Sequence, residues 1–162
     1  MKLKSFFYKA AMVLFMTTTV KNASAQDIPL TQFDKNAIEV VQKFMDAINA
    51  NPSDENAAAT AAMPFIHNSE YDNSGSALKK DRMDFSFKKA WQNAKFYETP
   101  IKITRIQKQG LTGIGFGATA QLGSSYKVFL AKKSGVAGMP AAVHVFIPQD
   151  GSTPKVHYYG SL

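Results

Sequence analysis

Two histidines near the C-terminal end could act together, because a predicted hairpin brings them close to each other. His144 and His157 flank Asp150-Gly151, a dipeptide that favours a two-residue type I′ turn. In such a turn Gln149 pairs with Ser152, and His144 then lies directly opposite His157. Two facing imidazoles could bind a metal ion or form an acid–base pair.

A different turn would separate the two rings. A three-residue loop with a glycine bulge shifts the strand pairing by one residue and places the two histidines on opposite faces. The alternative role for both is packing, among Phe146, Tyr158 and Tyr159, as ordinary sheet residues. A metal site would also need a nearby carboxylate or a third histidine, so we expect no metal and no cofactor.

A second group of polar side chains lies in one predicted loop. It contains His67, Glu70, Tyr71 and Asp72, and loops often carry functional residues. The spacing matches no metal-binding motif, and Ser69 does not lie in a Gly-x-Ser-x-Gly turn. The alternative is a polar loop whose side chains make Asx turns and helix caps.

Trp91 lies in a predicted helix that is rich in lysine. Such a helix could lie on an anionic surface. However, Met83, Phe87 and Trp91 share one face, and this pattern predicts packing against a sheet with the lysines in solvent.

The composition excludes several kinds of chemistry. The chain has no cysteine, which excludes thiol catalysis, cysteine metal sites and lipid attachment through cysteine. The net charge of +7 includes four lysines within the first 25 residues, and the small charge that remains does not predict nucleic-acid binding. Gly113, Gly115 and Gly117 are not followed by the Gly-Lys-Ser/Thr of a phosphate loop.

Residues 1–25 have the order of a secretory signal peptide. Lysines come first, an apolar run follows at 10–16, and Ala23-Ser24-Ala25 supplies the small residues of a cleavage site. The apolar run is shorter than the roughly 20 residues that a spanning helix needs. We therefore expect an exported protein, periplasmic or secreted, with no stable membrane span after cleavage; the alternative is an uncleaved amphipathic anchor.

Residues 26–162 are predicted to form a single α+β domain, with helices first and antiparallel strands after them. The first helix begins at an Asp34 cap and ends near positions 49–52. The second is short and alanine-rich; Ser53 or Asp54 starts it, and Pro64 stops or kinks it. The third spans positions 78–96.

The rest of the chain is predicted to form a curved sheet. Gly110 and Gly123 are expected to interrupt it, and the alternating glycines between them would permit strong bending. The predicted strands are 100–108, 112–121, 126–132, 141–147 and 155–160.

The terminal segments Val143-His144-Val145-Phe146 and Val156-His157-Tyr158-Tyr159 complete an architecture that resembles the nuclear transport factor 2-like superfamily. The resemblance covers about Phe33 to Leu162 and implies a cone-like α+β barrel. Members of that superfamily include isomerases, dehydratases, small-molecule binders and assembly modules, so the fold alone does not assign an activity. No acid–base pair of the enzymatic members can be matched here, and no catalytic residue is assigned.

Three hypotheses for the function follow. The first is an exported domain that binds a small apolar or amphipathic ligand, or a protein partner, through the mouth of the cone. The second is an isomerase or dehydratase with a histidine within about 3 Å of Asp72 or Glu70. The third is a module that dimerises through an exposed sheet face. The candidate binding residues are His67, Tyr71, Trp91, His144 and Tyr158.

Overall fold

Three α-helices pack on one face of a four-stranded antiparallel sheet in the computed structural model, which describes residues 31–162. The predicted α+β class is therefore confirmed. The strand order is β1-β2-β3-β4, so β1 and β4 form the two edges and the sheet is not closed into a barrel. The predicted signal peptide and Gln26 lie outside the described residues.

Helix α1 spans Gln32–Asn49 and provides the long hydrophobic stripe that the sheet covers. Its N-cap is Thr31, whose hydroxyl accepts from the Asp34 N–H while the Asp34 carboxylate accepts from the Thr31 N–H. This capping box corrects the expectation that Asp34 is itself the cap. The buried residues of α1 are Ala37, Val40, Val41, Phe44, Met45 and Ile48.

Helix α2 spans Glu55–Ala62, and its N-cap is Asp54, one of the two starts that the sequence offered. Its alanines allow close packing on α1. The predicted third helix begins at Lys80, runs as a π-helix over Arg82–Phe87 and continues as α3 over Lys88–Ala94. The sequence did not predict the π-helical stretch.

The strands are β1 Ile103–Ile114, β2 Gln121–Leu130, β3 Ala141–Pro148 and β4 Lys155–Tyr158. Four strands thus replace the five predicted, because the glycines act differently from expectation. Gly110 has a positive φ of 79° and forms a bulge inside β1 rather than a break. The reversal between β1 and β2 lies at positions 115–120.

Gly123 lies inside β2, opposite Pro148, and not in the turn that the sequence predicted. The fold requires a residue without a Cβ atom at this position. A Cβ there would overlap the Ile147 carbonyl oxygen and lie 2.6 Å from Cζ of Phe146. The Phe146 ring therefore lies directly against the β2 backbone and is fully buried.

The two faces of the sheet have different chemistry. Tyr126, Val128, Val143 and Val145 point towards the helices and belong to the hydrophobic core. The alternate residues of the same strands point to the other face, which we call the outer face. They include Ser125, Lys127, Phe129, His144 and Phe146.

Candidate functional site

The terminal hairpin places both of its histidines on the outer face, although by a different route from the one expected. Positions 149–154 separate β3 from β4, so the connection is not a two-residue turn. A type I′ turn requires a positive φ at both central residues, and Asp150 does not have one. The backbone N–H of Gln149 donates to the Leu122 carbonyl.

A bulge in β4 then brings the two imidazoles together. Val145 pairs with Val156, but His144 pairs with Tyr158, which leaves His157 as the extra residue. The His144 and His157 rings lie 5.8 Å apart, centre to centre.

All three histidines of the chain lie in one row of rings. The His67 ring meets the edge of Phe146 at 5.6 Å, and Phe146 lies 6.3 Å from His157. His144 follows, and the Tyr158 ring lies against it at 4.8 Å, tilted by 56°. We call these five residues the histidine row. It brings together three of the five candidate residues: His67, His144 and Tyr158.

The imidazoles of His157 and His67 have neutral hydrogen-bond partners. Nε2 of His157 lies 3.0 Å from the Ser125 hydroxyl, whose side chain is buried. Nδ1 of His67 accepts from the Ser69 N–H, so its Nε2 carries the proton and donates to Oε1 of Gln121 at 3.0 Å. Within residues 31–162 no histidine is hydrogen-bonded to a carboxylate.

Burial lowers the pKa of all three imidazoles. The pKa of His157 falls to about 4, first through burial and then through the neighbouring His144 and His67. Burial and Lys127 lower the pKa of His144, and burial lowers that of His67 with a smaller contribution from Lys155. The row is therefore uncharged at neutral pH.

The carboxylates of the 67–72 loop are engaged elsewhere. Glu70 binds Arg82 at 2.6 Å, and burial is the main cause that raises the pKa of Glu70. Asp72 accepts from the Ser74 hydroxyl in a local turn. In the part of the chain that the structure describes, no group of three or more acidic or histidine side chains could hold a metal ion.

The remaining two candidate residues lie apart from the histidine row. The Tyr71 hydroxyl lies close to the Met63 and Ile66 carbonyl oxygens. Nε1 of Trp91 donates to the Asn51 carbonyl at 2.9 Å, and its ring packs against the core. This geometry agrees with the packing interpretation of Trp91.

Replacing Trp91 tests that interpretation. We expect Trp91→Phe to lower the free energy of unfolding by about 1 kcal/mol, because the partly buried Asn51 carbonyl loses its donor while most of the packing remains. Urea denaturation followed by circular dichroism measures the change. An unchanged midpoint would contradict a structural role for the indole.

An apolar groove of about 460 Å³ lies between α1 and the β3–β4 connection. Val40 and Ile147 are nearly buried within it, whereas Phe33 is 55% exposed. Polar groups lie among the apolar ones, including an ion pair of 2.6 Å between Glu39 and Lys43. The lining residues are Phe33, Asn36, Glu39, Val40, Lys43, Pro64, Phe65, Ile147, Pro148 and Gly151–Pro154.

A polar cleft of about 370 Å³ adjoins this groove. Ser152 and Thr153 line both hollows, so the two meet along these residues. His67 and Tyr71, both candidates from the sequence, line the cleft. The others in its wall are Ile66, Asn68, Gln121 and Lys155.

Sequence reasoning missed Gln121, Ser125 and the groove. The signal for the first two was present in β2, where Gln121, Ser125 and Lys127 alternate with core residues such as Tyr126 and Val128. The groove carried no such signal, because its walls come from segments that are far apart in the chain.

Comparison with known proteins found no matching family model, no similar curated protein and no similar solved structure. Among the described helices, none combines the length and apolar character needed to cross a membrane.

Proposed function

We propose that this protein is an exported domain that binds a small amphipathic molecule across the apolar groove and the polar cleft. The observation that carries this proposal is the junction of the two hollows at Ser152 and Thr153. Each hollow is in the size range of small-molecule sites, which are mostly apolar with a few polar groups that fix orientation.

The groove suits the apolar part of such a ligand. The rings of Phe33 and Phe65, with Pro64 and Pro148, form walls over a floor of aliphatic side chains. Phe33 exposes more than half of its surface, so a bound chain would remove apolar area from water without disturbing the core.

The cleft suits the polar end. It offers the amides of Asn68 and Gln121 and the hydroxyls of Ser152 and Thr153. Among the described residues that line the cleft, only Lys155 is charged when His67 is neutral. The Asp150 carboxylate, which is not in the wall, accepts from Gln121 and Ser152 and offsets part of the Lys155 charge. The polar cleft therefore suits an uncharged or singly anionic head group.

Calorimetric titration with dodecanoate, a chain with a carboxylate head, tests the proposal. We expect binding, and we expect Phe33→Ala to weaken it about tenfold, because roughly 50 Å² of apolar contact is lost. Phe85→Ala is the matched control, since Phe85 is 73% exposed and lies outside the groove. Lys155→Gln, made in the native protein, should also weaken dodecanoate binding, whereas the control Lys88→Gln should not.

Equal losses in Phe33→Ala and Phe85→Ala would show that dodecanoate adheres to exposed rings without using the groove. The absence of any binding to the native protein would also contradict the proposal.

A further inference from the structure

The far end of the β1–β2 hairpin exposes three large apolar side chains. Leu111 is 60% exposed, Leu122 is 54% exposed and Phe116, in the connecting turn, is 94% exposed. Leu111 pairs with Ser124 and Leu122 with Gly113, so the two leucines are diagonal neighbours on one face. We call these three residues the apolar tip.

The apolar tip extends past the layer of helices. Positions 107–111 of β1 are exposed on both faces of the strand, and α1 packs against β2, β3 and β4. Grouped apolar side chains at the end of a projecting element typically mark a binding surface.

The charged residues of the two hairpin strands are all basic, and the Asp150 carboxylate contacts the hairpin at Gln121. Between Glu98 and Asp150 the sequence has six basic residues and no acidic one. Ten of the 12 acidic residues lie instead between Thr31 and Glu98, in the part of the chain that forms the helices. Arg105, Lys108 and Lys127 belong to the hairpin strands themselves.

The cations lie close enough to the apolar tip to act with it. Lys108 and Leu111 flank the bulge in β1, and their partners Tyr126 and Ser124 are two strand residues apart, about 7 Å. This distance is within one Debye length at physiological ionic strength. The apolar tip, with basic residues farther along the same strands, is complementary to an anionic bilayer, whose surface is negatively charged and whose interior is apolar.

We propose that the β1–β2 hairpin docks this protein on the surface of an anionic lipid bilayer, with the apolar tip inserted among the head groups. Two other partners fit less well. Single-stranded nucleic acids are bound by stacking on aromatic rings, and two of the three tip residues are leucines. A second copy of the hairpin would bring like charges together.

Co-sedimentation with vesicles tests this inference independently of the groove. We expect binding to vesicles of equal parts phosphatidylcholine and phosphatidylglycerol, and much weaker binding to phosphatidylcholine alone. Phe116→Ser should reduce partitioning about tenfold, and Lys108→Gln about fivefold. The controls are Phe85→Ser and Lys88→Gln, which alter exposed residues of the same types outside the hairpin. Circular dichroism verifies that each variant is folded.

Several results would overturn the inference. One is equal binding to both vesicle types, and another is an equal loss of partitioning in Phe116→Ser and Phe85→Ser. Binding of oligothymidine without binding of vesicles would assign the basic residues of the β1–β2 hairpin to nucleic-acid binding. A native dimer that Phe116→Ser converts to a monomer, without vesicle binding, would assign the tip to self-association.

Discussion

Gly123→Ala is expected to lower the free energy of unfolding by about 3 kcal/mol, the upper end of what overpacking by a methyl group costs. The added Cβ would meet a backbone carbonyl oxygen and the Phe146 ring, and neither can move without disturbing the pairing of β2 with β3. Because Phe146 separates His67 from His157, the substitution would also spread the histidine row. Urea denaturation and the NMR signals of the imidazoles measure both effects.

Gly113→Ala is the control for this substitution. Gly113 pairs with Leu122 in the neighbouring β1–β2 pair, and the nearest atom to its added Cβ is 3.8 Å away. We expect a change below about 1 kcal/mol there, typical of exposed positions. If both variants lost similar amounts of unfolding free energy, the close packing of Phe146 on Gly123 would not be the reason why position 123 requires glycine.

Acid should destabilise the protein through His157 before most carboxylates titrate. The pKa of this imidazole is about 4 in the folded state and 6.5 in the unfolded state. As the pH falls below about 6.5, the unfolded chain takes up the proton first, so stability declines until the folded pKa is reached. The full loss is up to about 3 kcal/mol.

The titratable and basic neighbours in and beside the row also lower the pKa of its histidines, in the same direction as burial. His144 and His67 share the row, Lys127 lies beside His144, and Lys155 acts on His67. Each added positive charge therefore disfavours the next protonation.

His157→Gln tests the assignment, because glutamine does not titrate and can still form a hydrogen bond with the Ser125 hydroxyl. We expect its unfolding free energy to depend much less on pH between about 6.5 and about 4. The difference between the variant and the native protein above pH 7 serves as the reference, since the imidazole is neutral there in both states. Parallel pH profiles for the two proteins would contradict the role of His157.

The sequence predicted the helical part of the fold well because its signals are local. Of the two expected starts of α2, Asp54 is the cap, and the helix ends before Pro64, where the sequence predicted a stop or a kink. Ala37, Val41, Phe44 and Ile48 recur at helical spacing, and all four are buried.

The sheet was harder to predict, because glycine has several roles that look alike in the sequence. Gly110 forms a bulge and Gly123 makes room for a ring, and both were interpreted as breaks. The choice between these roles depends on the partner strand, which local sequence does not identify.

The candidate site was predicted only in part for the same reason. His144 and His157 were expected to meet through a tight turn, but a bulge in β4 brings them together. His67 joins them because Ile66 forms a parallel bridge with Val156 and Phe146 fills the space between the rings. These contacts join residues that are far apart in the chain, and local patterns in a single sequence do not predict them.

The most direct test of the proposed ligand site is an NMR titration of the ¹⁵N-labelled protein with dodecanoate. Our account predicts that the largest amide shift changes occur at Ser152 and Thr153, with smaller ones at Phe33 and Gln121. This pattern would place the ligand across the groove and the cleft. Shift changes confined to the apolar tip, or spread evenly over the surface, would contradict it.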